Sequence, residues 1–474
     1  MAQFIRAMLS NGRKVIYTDA VEINAGNIAD VLENAMNIHE NNRSDIQYLY
    51  DVYRGKHDIL ARTKSVRPEI LNNIVINYPY RIVRFKTGYN LGEPIQYIGR
   101  DASEGAEIST LNAYMDDLGK ETEDIKLSDW CYIAGVGYRY ANIDTYADED
   151  MPPFKMTVLD PRYTFVAYDM SIEHKQKFCC TFTEDEEGNQ WKYVYTDTKF
   201  FTIDPDGHIY EETYIGAEQP IVEYRYNEAR LGIFEVVMAI VNAINTVTSN
   251  RIDGIEQFVQ ALLLFKGVNI DGDAYKELKD EGAILVPEDG DVQYIVSELN
   301  QQQTQTLIDC MYQQMLEIVG MPNRSGSTRS TSDTGVAVIY RDGWSDAEAY
   351  AKSDEKMFKQ SEKKFLRLVC DFCNTRRGMD LKASDIQINF TRRNYENIAS
   401  KSEVLLGMLG SPKVHPKLAF TYSGMFPDPE QAYLMSKEYE EEQEQLALAN
   451  MEAEVEQERI NSEPEMSNGT EEEA

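Results

Sequence analysis

The sequence predicts a helix-rich α+β protein, and three patterns along the chain support this fold class. Residues 135–226 alternate apolar and polar side chains, and the turn signals Gly188-Asn189 and Asp206-Gly207 interrupt them, as in an antiparallel meander. Residues 227–263 and 335–377 carry apolar side chains mostly at steps of three or four, as helices do. Residues 264–300 lie between these stretches and mix both patterns.

The N-terminal third is predicted to be mainly helical. Residues 1–45 form an arm and a helix at 28–38, and further helices are expected at 48–60, 72–88 and 107–133. Pro79 lies inside the helical pattern of residues 72–88, so we expect a helix start or a kink there. Residues 95–98 alternate like a strand.

The middle of the chain predicts a helix, a small αβ insert and a returning helix. In the insert, strands are expected at 263–265, 283–286 and 292–296, with a helix at 273–280. The returning helix covers 304–320, where Leu307, Met311 and Met315 follow a helical period.

A hydroxyl-rich loop at 321–332 precedes one very long predicted helix, from Gly335 to about Arg377. At about 1.5 Å per residue this helix would span roughly 60 Å, and we expect a kink at Gly343. Arg324 and Arg329 give the loop a local positive charge. They suit contact with an anion, although a disordered surface loop could carry two arginines without such a role.

The last part of the chain is predicted to be helical and acidic. A strand is expected at 385–391 and helices at 397–409 and 428–444. From Glu438 onward the sequence contains 14 glutamates and a single arginine, Arg459. This composition predicts a solvated acidic helix that frays into a disordered tail.

Composition and charge restrict the classes of function. The hydrophobic content of 42% is that of a globular protein, and the net charge of −33 opposes tight sequence-independent binding of DNA by the whole surface. It does not exclude a protein that surrounds DNA without adhering to it. No run approaches the roughly 20 apolar residues of a membrane span, and no secretory signal is apparent. We therefore expect a soluble intracellular protein.

Motifs for catalysis, cofactors or metals are missing from the sequence. It contains no phosphate-binding loop, no dinucleotide fingerprint and no hydrolase or metalloprotease signature. The five histidines are scattered. Cys370-x-x-Cys373 has no second pair, which favours packing over zinc binding, and free thiols are expected. We predict a protein that is not an enzyme and has no cofactor and no metal site.

Several short motifs resemble the portal proteins of tailed bacteriophages, particularly those of long-tailed siphophages. They are Tyr53-x-Gly55-x-His57-x-Ile59-Leu60-x-Arg62, Asn77-Tyr78-Pro79, Lys86-Thr87-Gly88-Tyr89-x-x-Gly92-x-Pro94-Ile95-x-Tyr97 and Ala243-Ile244-Asn245 with Ser249, Asp253 and Glu256. The resemblance continues through 325–335, the long helix and Asp385-Ile386, so it covers most of residues 50–400. The order of elements also matches.

The resemblance implies a portal architecture with a wing, a two-helix stem, a small αβ clip, a long wing-spanning helix and a helical crown. The expected segments are an arm (1–45), wing (46–226), first stem helix (227–263), clip (264–300), second stem helix (301–320), tunnel loop (321–334), long helix and wing strand (335–395), crown (396–437) and acidic tail (438–474). The segment before the first stem helix lacks the proline that commonly precedes this helix in the family, so the sequence does not define the residue at which the helix starts.

The resemblance also implies a ring of usually twelve subunits at one capsid vertex, assembled in the host cytoplasm and kept in the virion. Its expected partners are further copies of the chain, double-stranded DNA, the terminase large subunit, a head-completion adaptor, and the major capsid and scaffolding proteins. The loop residues expected to face DNA are Asn323, Arg324, Ser325, Ser327, Thr328, Arg329 and Ser330. The clip residues expected to dock partners are Lys266, Asp271, Asp273, Lys276, Lys279, Glu288 and Asp289.

Three other functions stay open on the sequence alone. The first is another head–tail connector such as an adaptor, although adaptors are usually much shorter chains. The second is a scaffold-type virion protein, which the acidic tail suits and the mixed αβ middle does not. The third is a DNA-processing phage enzyme, against which the missing motifs argue.

Overall fold

The computed structural model describes residues 12–65, 67–99, 105–216, 218–259, 262–266, 291–295, 301–323, 343–390, 398–426 and 429–462. The chain forms two compact units. The first consists of Met1–Ser332 and Tyr340–Arg393, and the second of Asp333–Ile339 and Asn394–Ala474. Helices and several sheets occur together, which confirms the predicted helix-rich α+β class.

Seven α-helices lie in the described part of the first unit. They are α1 (Ile28–Tyr53), α2 (Tyr78–Asn90), α3 (Gly105–Asp117), α4 (Lys120–Ala134), α5 (Met238–Val259), α6 (Gln301–Ile318) and α7 (Trp344–Arg377). Short 3-10 helices at Asp58–Ala61 and Glu235–Val237 precede α2 and α5. Within the described ranges, no helix combines the length and apolar character needed to cross a membrane.

The strands in the described part of the first unit form four sheets. A six-stranded sheet has the order β1-β5-β6-β7-β8-β9, from β1 (Ile16–Thr18), β5 (Thr164–Asp169), β6 (Gln176–Glu184), β7 (Gln190–Tyr195), β8 (Lys199–Ile203) and β9 (Ile209–Thr213). A three-stranded sheet has the order β10-β3-β4, from β3 (Val136–Ile143), β4 (Phe154–Leu159) and β10 (Ile221–Arg225). Two antiparallel pairs join β11 (Leu262–Lys266) to β12 (Asp291–Ile295) and β2 (Gln96–Gly99) to β13 (Ile386–Asn389).

The C-terminal half of α7 is the centre of the largest hydrophobic core. Phe365, Leu366, Val369 and Phe372 are fully buried and lie in one cluster with side chains of α3, α4 and the three-stranded sheet. The four positions recur at steps of one, three and four, so they share one face of the helix. This packing fixes α7 across the first unit.

A buried ionic network accompanies that core. Arg139 of β3 lies 3.1 Å from a carboxylate oxygen of Glu362 on α7 and also pairs with Asp124 of α4. Lys120 pairs with Glu362 at 3.0 Å. Tyr224 donates to Glu362 at 2.5 Å. Buried charges persist only when they are paired and hydrogen-bonded, and this network meets both conditions.

The second unit contains α8 (Ile398–Leu409), α9 (Pro416–Ser423) and α10 (Pro429–Ser462). The Phe420 ring of α9 packs against Tyr433 of α10, with the ring centroids 6.0 Å apart. Lys401 of α8 donates a hydrogen bond to the carbonyl oxygen of Gly424 at 2.9 Å. These contacts join the three helices.

Several predicted boundaries are wrong in the N-terminal part of the chain. The helices expected at 28–38 and 48–60 are one helix, α1, which ends at Tyr53. Residues 71–77 are not helical, and α2 begins at Tyr78 with Pro79 in its first turn, where a proline costs no hydrogen bond. The helix expected at 107–133 is divided into α3 and α4 at Gly119, which adopts φ 64°.

Other boundaries differ further along. The meander expected over 135–226 forms two sheets, because β10 returns to pair with β3. The helix expected from residue 227 begins at Met238, after a non-helical segment and a 3-10 turn. The long helix expected from Gly335 is interrupted at Gly343, the position of the expected kink, because Gly343 has φ 80° and α7 starts at Trp344; residues 335–342 lie outside the described part of the chain. The acidic segment remains helical to Ser462, beyond the helix end expected near 444.

Candidate functional site

Pro322 and Gly343, which flank the stretch that contains the hydroxyl-rich loop, lie side by side, and we refer to this place as the loop base. On one side, α6 ends and the chain reaches Pro322; on the other, Gly343 begins α7. A Cβ atom added to Gly343 would lie 3.8 Å from the Cα atom of Pro322. The described chain therefore ends and resumes at neighbouring points on either side of residues 324–342.

The end of α6 is tightly terminated at the loop base. Gly320 adopts φ 59°, and the N–H of Met321 donates to the carbonyl of Leu316 at 2.9 Å. This bond, with that from Gly320 to Glu317 at 3.1 Å, makes a Schellman motif, which needs a left-handed residue at its turn. Leu316 and Met321 are buried in the core that includes α2 and α5, so the loop starts from a fixed position.

Lys86 of α2 lies at the centre of the loop base. Its side chain is buried, its ammonium lies 3.3 Å from the carbonyl oxygen of Gly320, and it is 5.1 Å from the centroid of the Tyr350 ring of α7. Desolvation lowers the pKa of Lys86 to about 8, although Asp354 acts in the opposite direction. A single cation thus bridges α2, the end of α6 and the start of α7.

Residues 72–77 have no regular secondary structure and run along α5, and we call this segment the strap. Its backbone N–H groups at Asn72, Ile74 and Ile76 donate to side chains of α5. The acceptors are Asp253 at 2.8 Å, Ser249 at 3.0 Å and Asn245 at 2.9 Å, respectively.

The spacing of these acceptors explains the arrangement. Two residues of extended chain advance by about 6.6 Å, and four residues of helix advance by about 6.0 Å. Asn245, Ser249 and Asp253 lie four residues apart on one face of α5. Each step of the helix therefore meets the next N–H of the strap.

Asp253 binds the end of the strap at Asn72. Its carboxylate accepts from Arg62 at 3.1 Å, from Lys64 and from the side chain of Asn72 at 3.0 Å. Burial alone would raise the pKa of Asp253, but the hydrogen bonds from Lys64 and Asn72 outweigh it and lower the pKa to about 2. Asp253 is therefore a permanent anion between two cations at neutral pH.

His57 closes the strap near its other end. The Nδ1 atom of His57 lies 3.0 Å from the amide nitrogen of Asn245, and its Nε2 atom lies 3.4 Å from Asn77 Oδ1. Burial lowers the pKa of His57, against the hydrogen bond to Asn77. A neutral ring can accept from Asn245 at Nδ1 while Nε2–H points toward Asn77.

The helices α5 and α6 pack side by side. Arg251 of α5 donates to Gln305 of α6 at 2.6 Å and also bonds Gln301. Beyond them, β11 and β12 pair antiparallel with Leu262 opposite Ile295. The structure thereby agrees with the first and last strands expected in the insert, while the expected helix at 273–280 and strand at 283–286 lie outside the described residues.

Most of the site residues predicted from sequence lie outside the described part of the chain. Of the loop set, Asn323 lies at the loop base, and Arg324, Ser325, Ser327, Thr328, Arg329 and Ser330 lie outside the described residues. Of the docking set, Lys266 ends β11 with its backbone paired to Asp291. The other six, Asp271, Asp273, Lys276, Lys279, Glu288 and Asp289, lie outside it.

Sequence reasoning missed the roles of Lys86 and of the α5 acceptors. Both sets lie inside motifs that carry the family resemblance, so the motifs marked them without indicating what they do. The cysteine pair behaves as a packing feature: Cys370 and Cys373 are buried on α7, and burial raises the pKa of both thiols to about 12.

The described fold combines two paired helices, α5 and α6, with the long helix α7. The family model described as "Phage portal protein, SPP1 Gp6-like" matches residues 32–454, which is most of the chain, and the chain belongs to this family. Portal proteins are structural components of the phage head–tail connector and not enzymes. The resemblance found in the sequence motifs is thereby confirmed.

Two solved structures from gene transfer agents are also similar to the chain. "Neck of empty GTA particle computed with C6 symmetry" has 10% identity, a TM-score of 0.42, and covers 74% of this chain and 90% of its own. "Virion of native gene transfer agent (GTA) particle" has 10% identity, a TM-score of 0.43, and covers 81% and 94%. No curated protein matches the chain.

Proposed function

We propose that this chain forms a closed ring of about twelve or thirteen subunits at one capsid vertex. The ring is a conduit through which a separate ATPase packages double-stranded DNA and through which the DNA later leaves. Membership of the portal family over residues 32–454 carries this proposal. α5 and α6 are then the stem, 264–300 the clip, and α7 the helix that spans the wing.

The loop base supports a DNA-facing role for the loop. Lys86 and the Schellman turn hold the chain at Gly320 and Met321, and Pro322 lies next to Gly343; the stretch between these points in sequence carries two arginines and several hydroxyl groups. Arginine and hydroxyl side chains make phosphate contacts that carry no sequence information. Such contacts suit a loop that touches DNA while the DNA moves.

The charge of the chain supports a channel that does not adhere to DNA. A net charge of −33 per chain gives a dodecamer about −400 in total. A wall of that sign repels phosphates and releases few counterions on contact. The loop arginines then form a thin cationic girdle in a repelling channel.

Partners follow from the same role. The terminase large subunit and afterwards a head-completion adaptor dock on the clip, at Lys266, Asp271, Asp273, Lys276, Lys279, Glu288 and Asp289. The major capsid and scaffolding proteins surround the ring during assembly in the host cytoplasm.

Negative-stain electron microscopy of the purified full chain, with sedimentation velocity, tests the proposal. We expect closed rings of about twelve or thirteen subunits with a central hole. A monomeric sedimentation profile at micromolar protein and low salt, with no rings on the grid, contradicts it.

A further inference from the structure

The long helix α7 carries a row of cations on the side opposite its buried face. At about 100° per residue, five positively charged residues lie within about 80° of one another around the helix axis, and no other residue of 352–367 falls in that sector. Phe365 and Phe372, which are buried in the core, lie on the opposite side. The five cations are Lys352, Lys356, Lys359, Lys363 and Arg367, and we call them the α7 cation row.

Three members of the row are paired within the chain and two are not. The pairs are Lys352 with Glu348 at 3.6 Å, Lys359 with Glu355 at 3.4 Å and Arg367 with Glu218 at 2.7 Å. Lys356 and Lys363 are exposed, and within the described ranges neither has an ion-pair or hydrogen-bond partner. Like charges three or four residues apart destabilise a helix, so the row costs stability until an anionic surface covers it.

The charge of the chain and the glutamates beside the row decide between two anionic occupants. The chain has 80 acidic and 47 basic residues, so two copies repel each other unless their contact brings unlike charges together. A DNA duplex carries phosphates at every step, and these would also face Glu348 and Glu355, which flank the row. A protein surface can instead place carboxylates opposite Lys356 and Lys363 and hydrogen-bond donors opposite the two glutamates. A neighbouring copy therefore fits the row better than DNA does.

We propose that the α7 cation row forms part of the contact between neighbouring copies and docks against carboxylates of the next chain. This inference rests on the proposed ring and specifies one surface of its subunit interface. In a head-to-tail ring the same surface of every copy meets a different surface of the next, so each row meets its carboxylates when the ring closes. The two unpaired lysines set the register of the contact, because they lie seven residues, or about 10.5 Å, apart along one helix.

Charge reversal in the purified full chain tests this contact. Lys356→Glu/Lys363→Glu turns two attractive contacts per interface into repulsive ones, and it should raise the subunit concentration needed for half-assembly at least about tenfold. Sedimentation velocity over a dilution series and negative-stain images measure this. Lys155→Glu/Lys175→Glu is the matched control, because these side chains lie outside α7, are 67% and 71% exposed and give the same change in net charge. Circular dichroism checks folding, and Lys356→Gln/Lys363→Gln replaces the reversal if it disturbs the helix.

Chemical cross-linking identifies what the row touches. A carbodiimide joins a lysine amine to a carboxylate in contact with it, and the intermolecular products of the parent ring run as dimers on a denaturing gel. Mass spectrometry of the dimer band should show Lys356 or Lys363 linked to aspartate or glutamate. Lys356→Gln/Lys363→Gln should lack these linked peptides, while the other cross-links of the dimer band persist.

Rings that form at the same concentration in the parent chain, the reversal variant and the control contradict the docking but leave the proposed ring intact. A parent chain without rings contradicts both. Equal losses in the reversal variant and the control would mean net charge alone, and cross-links of Lys356 and Lys363 found only in the monomer band would place their carboxylates in the same chain. If the reversal variant assembles normally but binds a fluorescein-labelled DNA duplex at least about tenfold more weakly than the parent chain, DNA is the occupant. Each of these results overturns the proposal.

Discussion

At the scale of single residues, the pKa values of two buried cations of the first unit shift in opposite directions. Arg139 faces the carboxylates of Glu362 and Asp124, and these anions, with Tyr224, raise the pKa of Arg139 against the effect of its burial. Lys86 faces a carbonyl oxygen and an aromatic ring. A carbonyl dipole compensates less of the desolvation cost than a carboxylate does, so the pKa of Lys86 falls.

Replacing Lys86 tests whether the burial of its charge lowers the free energy of unfolding. Because the folded-state pKa is about 8 and below the usual value, the folded chain binds fewer protons than the unfolded chain between about pH 8 and 10.4. The free energy of unfolding of the parent chain should therefore rise through this interval relative to Lys86→Met, by on the order of 3 kcal/mol in total. Urea unfolding of both proteins at several pH values measures the difference.

Lys56→Met is the control for this experiment, because the Lys56 side chain is 67% exposed and its removal reports what any lost lysine does to the curve. A difference between the parent chain and Lys86→Met that stays constant from pH 7.5 to about 10 would show that Lys86 keeps its charge in the folded state. The charge would then be stabilised by partners other than the Gly320 carbonyl and the Tyr350 ring.

At the scale of elements, the strap joins α5 to the loop base. The strap is bonded to α5 at Asn72, Ile74 and Ile76, and it leads directly into α2, which carries Lys86. A displacement of α5 along its axis would have to break side-chain bonds to three N–H groups or carry α2 with it. We expect the strap to be the mechanical link between these two elements.

Asp253→Asn tests this link. The substitution leaves Arg62 and Lys64 without their shared anion, so we expect a loss of about 1–3 kcal/mol in the free energy of unfolding at pH 7, measured with urea. Since the folded-state pKa of Asp253 is lowered to about 2, its contribution is present above about pH 4 and is lost as the pH falls toward 2. The difference between the two proteins should shrink over that interval.

Glu256→Gln is the matched control for Asp253→Asn, because Glu256 is exposed on the same helix and its replacement removes the same charge away from the strap. If the two variants lose equal stability, the strap bonds contribute nothing beyond the charge of α5. A chain in which only Asp253→Asn is destabilised supports the link.

The sequence predicted those elements whose core face is apolar, such as the C-terminal half of α7 and the hairpins of the six-stranded sheet. It divided α1 because His39 and Asn42 interrupt the apolar stripe, yet both are buried. Asn42 exchanges two hydrogen bonds with the backbone of Lys14, at 2.8 and 2.9 Å. The polar acceptors of α5 are buried in the same way by the strap. Their partners are distant in sequence, so periodicity alone cannot identify them.

At the loop base, too, the sequence alone did not show the conformation of a key residue, Gly343. Gly343 was expected to kink a helix, and its positive φ interrupts helical geometry there, just before α7 begins at Trp344. The motifs around Lys86 and Asn245 indicated the family, but the contacts that these residues make are seen only in the three-dimensional structure.

At the scale of the whole molecule, the loop differs from the rest of the chain in its charge, and the residues that anchor it lie outside its arginine-containing stretch. The chain has a net charge of −33, whereas the loop carries two arginines and its anchors lie outside the arginine-containing stretch. Gly320, Met321 and Gly343 are held by bonds and packing of the first unit. The loop can therefore change without disturbing the fold that presents it.

Deleting residues 323–330 should leave ring assembly intact and impair DNA packaging or retention. The remaining residues easily bridge Pro322 and Gly343, because these two ends are adjacent. Electron microscopy of the purified variant and nuclease-protected DNA in assembled particles measure the two outcomes. A second variant with the same stretch replaced by glycine and serine keeps the length but removes Arg324 and Arg329, and separates charge from span. Unchanged packaging by both variants would refute the DNA-facing assignment, and loss of rings would make the loop an assembly element.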